Sequence, residues 1–102
     1  MKLDHIAVTV QNIESGVEWY MGRFDLQVLY KDDSWAMLKV AEPDIKIALV
    51  IESQHPNHIG ISCDSLPSFA KEGNFHRDGS EYHYDTDPWG NTWEWVKYPK
   101  EK

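Results

Sequence analysis

The sequence predicts an α+β domain made of two tandem β-α-β-β-β modules, the second with a shortened helix. Three observations predict it. Residues 5–15, His-Ile-Ala-Val-Thr-Val-Gln-Asn-Ile-Glu-Ser, return at 58–68 as His-Ile-Gly-Ile-Ser-Cys-Asp-Ser-Leu-Pro-Ser, an offset of 53. His, Ile and the final Ser are identical and most other pairs keep size and polarity, which marks an internal repeat. Each copy opens on period-two alternation, the mark of a strand, and the first continues into an apolar stripe of helical period.

In the first strand, Leu3 to Val10, the apolar Ile6, Val8 and Val10 alternate with His5, Ala7 and Thr9. One face suits helix packing. The other is small and polar around a histidine, as the floor of a site would be. Asn12 is placed to cap a helix, and Ile13, Val17, Tyr20 and Phe24 give its stripe, ending near Gly22–Asp25. Strand-like runs follow at Leu26–Lys31, Ser34–Val40 and Asp44–Ile51, separated by Asp32-Asp33 and Glu42-Pro43. Module one is thus 1–52, and 53–57, with Pro56, is a short linker.

Module two, 58–98, repeats the alternation with Ile59, Ile61 and Cys63 against His58, Gly60 and Ser62. A shorter helical segment over Leu66–Lys71 stops at Gly73, and strands are expected near Phe75–Arg77, Glu81–Thr86 and Thr92–Lys97. Asp87-Pro88-Trp89-Gly90-Asn91 is the turn between the last two. Fewer helical residues give the last strand an offset of about 46, which pairs Glu94 with Ala48.

Composition bounds the function. The 102 residues suit one domain, and the 41% apolar fraction with five Trp supplies a core. With 17 Asp+Glu against 10 Lys+Arg and a net charge of −7, the chain lacks the basic face a nucleic-acid partner requires. A single cysteine, Cys63, forms no internal disulfide. The longest apolar run, Ile47 to Ile51, is far short of the ~20 residues of a membrane helix, and the N-terminus has no signal-like apolar stretch. A cytoplasmic protein without membrane contact is expected.

Four stretches together resemble the vicinal-oxygen-chelate superfamily of glyoxalases, fosfomycin and bleomycin resistance proteins and extradiol dioxygenases. They are Leu3-Asp4-His5-Ile6-Ala7-Val8, Trp19-Tyr20-Met21-Gly22-Arg23-Phe24, Asn57-His58-Ile59-Gly60-Ile61 and Asp87-Pro88-Trp89-Gly90-Asn91-Thr92-Trp93-Glu94. The resemblance covers essentially the whole chain. It implies two modules forming a cupped mixed sheet around a divalent metal, with ligands on the first and last strand of each. By position those places are His5, Ala48, His58 and Glu94, three of which can bind metal. Alternation agrees: with Trp93 and Trp95 on one face, Glu94 falls on the other, and a buried carboxylate there needs a partner. The bland alternative is a Glu94 paired with an Arg or a tyrosine hydroxyl, and histidines that are simply hydrogen-bonded. Two His and one Glu leave positions open for two neighbouring substrate oxygens and suit Fe(II), Mn(II), Ni(II) or Zn(II).

The resemblance also implies an enzyme of lyase, isomerase or dioxygenase type acting on a small oxygenated substrate, with Tyr84 a candidate hydrogen-bond donor or acid; the alternative is that Tyr82 and Tyr84 are cross-strand packing. The departures narrow this. Ala48 cannot be the fourth, carboxylate ligand usual in glyoxalase I, and Glu52 lies about 13 Å further along the strand. Tyr84 stands ten positions before Glu94, as in extradiol dioxygenases, but Lys39–Ile51 holds no catalytic histidine. Ala7 replaces a threonine of the fosfomycin transferases, and no basic cluster is evident for a phosphonate. His55, His76 and His83 read as surface or satisfied histidines. The alternative class is a metal-free ligand-binding module of the bleomycin-resistance kind. The resemblance implies a homodimer, often with modules exchanged so that His5 of one chain meets His58 and Glu94 of the other; a closed monomer is the alternative.

Overall fold

The structure, a computed structural model, describes residues 1–40, 44–51, 56–70 and 73–99. Glu52 and His55 lie outside the described residues. The element order is β1 (Lys2–Val10), α1 (Ile13–Met21), β2 (Leu26–Lys31), β3 (Trp35–Val40), β4 (Lys46–Ile51), β5 (His58–Ser62), β6 (Glu81–Thr86) and β7 (Thr92–Lys97). The expected α+β class is borne out. No described helix is long and apolar enough to cross a membrane.

The chain divides into two compact units, His5–Asn57 and Met1–Asp4 with His58–Lys102. β1 therefore contributes its first residues to one unit and the rest to the other.

In the His5–Asn57 unit the strand order is β2-β3-β4-β1, with β1 and β4 parallel and the other pairs antiparallel. Asn12 caps α1 as expected, its Oδ1 accepting from the Ser15 N–H at 2.9 Å. Ile13 and Val17 drop from the helix onto Ala36, Leu38 and Leu49, and these five make the buried core. Registers explain the face: Ala36 pairs with Leu49, and Leu38 with Ile47, so all four project toward α1. Two details differ from the sequence expectation. Ile6 is 41% exposed, because only Val8 and Val10 of its face pack against the core and a nine-residue helix about 13 Å long does not extend further. Phe24 lies beyond α1 and is exposed, held by stacking on Tyr20 at 5.9 Å.

Close approach fixes how α1 sits. A Cβ added at Gly16 would stand 3.1 Å from Val10 Cγ1. Gly16→Leu is thus expected to destabilise the protein by about 1–3 kcal/mol through overpacking, read as a lower urea midpoint. An unchanged midpoint would show that α1 has room to move.

In the other unit the order is β5-β7-β6, β5 and β7 parallel, β6 and β7 antiparallel. The helical segment expected over 66–71 is absent from the described residues. Pro67 instead opens a single turn, closed by Ala70 N–H to the Pro67 carbonyl at 2.9 Å. So few residues between Pro67 and Gly73, which takes φ +90°, cannot sustain a helix. Phe69 serves where a helix face would, its ring 5.9 Å from Trp95 and 6.1 Å from His83. The strand expected at Phe75–Arg77 shrinks to one bridge, Phe75 to Glu81. The β6–β7 turn forms as expected: Asp87 Oδ1 accepts from the Trp89 and Asn91 N–H groups, and Gly90 takes φ +88°.

The registers bear out both repeat offsets. Ala7 faces Ala48 across β1 and β4, and Gly60 faces Glu94 across β5 and β7. Ala7 to Gly60 is the offset of 53, and Ala48 to Glu94 is the offset of 46. Ala48 is thus the counterpart of Glu94 in geometry as well as in sequence.

Candidate functional site

Alternation along β5, β6 and β7 assembles one polar face. Gly60 pairs with Glu94 and Glu94 with Tyr84, so His58, Glu94 and Tyr84, with Tyr82 two residues from Tyr84, share it. Trp93, Trp95, Ile59 and His83 go to the other face, as the sequence required for Glu94 to point away from the tryptophans.

Glu94 is the centre. It is 3% exposed, and its carboxylate lies between two imidazoles. His58 Nε2 is 3.3 Å from Oε1 and His76 Nε2 is 2.6 Å from Oε2. The Tyr84 hydroxyl also hydrogen-bonds to Glu94, and its ring stands edge-on to His58 at 5.2 Å. Burial, then the charge of Glu94, push the Tyr84 hydroxyl well above its ordinary value, so it keeps its proton at neutral pH. Tyr84 is therefore a donor, not a base.

This has a consequence for stability. Below pH about 10 Tyr84 is protonated in both folded and unfolded chains. Above it the unfolded chain releases the proton while the folded one retains it, so stability falls as pH rises. The melting temperature is expected to drop more steeply above pH 10 in the wild type than in Tyr84→Phe. Parallel curves would rule out the buried phenol as the cause.

His76 is the residue that the sequence reading passed over as a satisfied histidine. It is satisfied, but by the buried carboxylate itself. Its backbone N–H bonds the Ser80 carbonyl and its carbonyl accepts from Gly79 N–H, a tight loop that Gly79 closes at φ +88°. The ring stacks on Tyr82 at 3.8 Å and 13°. The Asp78-Gly79-Ser80 turn signals that the chain returns alongside β6, but no spacing in the sequence ties His76 to Glu94.

His5 is buried on β1 in the other unit, one residue after Asp4. Asp4 is itself buried, and its Oδ2 accepts from the Tyr98 hydroxyl at 2.6 Å. Ala48 is buried on the face of β4 that pairs with Ala7.

The donor set fits a divalent ion. Two ligand atoms about 2.1 Å from one ion at a tetrahedral angle stand about 3.4 Å apart. His58 Nε2 and Glu94 Oε1 have that separation. Nitrogen and carboxylate oxygen together suit a borderline first-row cation.

Residues 2–72 match the Glyoxalase/Bleomycin resistance protein/Dioxygenase superfamily. The chain belongs to that superfamily. Solved structures extend the likeness of fold over nearly the whole chain. A variant of Streptomyces coelicolor methylmalonyl-CoA epimerase in complex with 2-nitronate-propionyl-CoA superposes with a TM-score of 0.77 at 16% identity, covering 98% of this chain and 99% of that one. The methylmalonyl-CoA epimerase from Mycobacterium tuberculosis gives 0.74 at 14%, over 97% and 89%. A hypothetical protein from Bacillus halodurans gives 0.69 at 19%, over 99% and 96%. No curated protein matches the chain in sequence. At these identities the likeness is one of fold.

Proposed function

We propose that this superfamily member is a divalent-metal-dependent enzyme acting on a small oxygenated substrate, with His5, His58 and Glu94 as ligands. The observation that carries the reading is the buried Glu94 carboxylate beside His58 at the separation of two ligands on one ion. His5 joins them by its place in the repeat, where it is the counterpart of His58. Its strand also begins in the unit that holds both, one peptide before it. A bound Fe(II), Mn(II), Ni(II) or Zn(II) would supply Lewis acidity to two neighbouring substrate oxygens. Tyr84, held protonated, has one hydroxyl hydrogen, which it donates to Glu94; turning that hydrogen to a developing oxyanion would give up the Glu94 bond.

Among lyase, isomerase and dioxygenase chemistries, the isomerase type is favoured. Two of the similar folds are methylmalonyl-CoA epimerases, and epimerisation is an isomerisation. Ala48 in the fourth position favours a second reading, a metal-free module that binds a ligand on the same polar face. Metal-loaded protein incubated in D2O with a 2-methyl-branched acyl thioester separates them. Deuterium entering the α-position only when metal is present supports the isomerase reading. Oxygen uptake with catechols, or consumption of the methylglyoxal–glutathione adduct, would move it to the dioxygenase or lyase class. Ligand binding unchanged by metal removal, with no turnover, would replace it by the binding module. A homodimer of cytoplasmic protein belongs to the same proposal, and light scattering at twice the 11.9 kDa chain mass is its expected result.

A further inference from the structure

We propose that His76 is a positioning residue for the metal-binding carboxylate, which deepens the metal-site reading and rests on it. The geometry points to a role distinct from ligation. His58 Nε2 stands 3.3 Å from Glu94 Oε1, the spacing of two ligands, whereas His76 Nε2 stands 2.6 Å from Oε2. That second distance is shorter than two ligand atoms on one ion allow and is the length of a charge-assisted hydrogen bond. The two oxygens of Glu94 are thereby assigned different tasks: Oε2 accepts the His76 N–H, and Oε1, on the His58 side, is the ligand atom.

The loop is built to deliver this ring. The Phe75–Glu81 bridge, the His76 N–H to the Ser80 carbonyl and the Gly79 N–H to the His76 carbonyl fix the backbone. Asp78 Oδ1 accepts from both the Ser80 N–H and its hydroxyl, at 2.8 and 2.6 Å, and sets the turn. Tyr82, stacked on the imidazole, sets the ring plane. A side chain that is 32% exposed has no packing need for so much restraint. Its effect is on Glu94: with the Tyr84 hydroxyl it fixes the carboxylate, so that a single oxygen is presented in one direction.

The test compares zinc affinity, by competition with a chelating dye, in the wild type, His76→Leu and His76→Gln. The glutamine amide reaches about as far as the imidazole Nε2 and keeps an N–H donor. The expected result is a 10- to 100-fold weaker affinity in His76→Leu and a substantial recovery in His76→Gln. Imidazole 15N NMR of the zinc-loaded wild type adds a readout independent of any variant's folding: the His76 Nε2 keeps its proton, while a ring nitrogen of His58 moves to the metal-bound range. Equal affinities in wild type and His76→Leu, no recovery in His76→Gln, or loss of the His76 Nε2 proton on loading would each overturn the assignment. A wild type that takes up no zinc would instead remove the metal-site reading, and this inference with it.

Discussion

Glu94→Ala is expected to weaken divalent-metal binding by roughly 100-fold. Structural zinc sites with four ligands bind with roughly 10–16 kcal/mol, so one ligand accounts for about 2.5–4 kcal/mol, and every 1.4 kcal/mol is tenfold. The substitution also leaves His58, His76 and Tyr84 facing a void where their carboxylate stood. Glu94→Gln separates the two effects. It keeps the volume and an acceptor oxygen but removes the negative charge, so metal affinity should fall while the fold is retained. Isothermal titration with Zn(II), alongside thermal unfolding of the metal-free proteins, measures both. Metal affinity undiminished in either variant would show that the ion, if bound, sits elsewhere.

The largest expected effect on stability is that of Leu38→Ala. Leu38 is fully buried in the middle of β3, paired with Ile47 on one side and Val28 on the other, beneath α1. Deleting a leucine side chain from such a position costs about 2–5 kcal/mol, because the surrounding strands cannot close on the cavity. Against the roughly 5–15 kcal/mol that stabilises a typical domain, this is a substantial fraction, and the melting temperature should fall by on the order of 10–20 °C. A loss under about 0.5 kcal/mol, the range of ordinary surface changes, would contradict the placement of the core between α1 and β3–β4.

Why some of this could be read in advance is clear from particular residues. Strands with period-two alternation and a bounding turn were legible to within a residue or two: β2, β6 and β7 fall at Leu26–Lys31, Glu81–Thr86 and Thr92–Lys97 as expected. The α1 cap was legible because Asn12 performs a local task, accepting an N–H three residues on. The offset from Ala48 to Glu94 was legible because the paired strands preserve it in their register.

The second helix was not. Leu66, Phe69 and Ala70 suggest a helical turn, but Pro67 and Gly73 leave no room to propagate it, and nucleation alone is unfavourable. His76 was hidden for another reason. Its partner Glu94 is eighteen residues away, and nothing in the local pattern of a loop histidine says which carboxylate it will meet. Its role comes from the loop geometry and the β6–β7 pairing together, and neither is written in spacing. Ile6 shows the converse: its alternation was right, but how far α1 extends over β1 depends on helix length and on Gly16 packing against Val10.

The proposed binding of a divalent ion by His5, His58 and Glu94 is tested most directly by the amount of metal in the purified protein. After dialysis against Zn(II) and removal of loose metal, elemental analysis should find about one ion per chain in the wild type and almost none in Glu94→Ala. A wild-type protein that emerges with no metal, or a variant that retains as much as the wild type, would contradict the account.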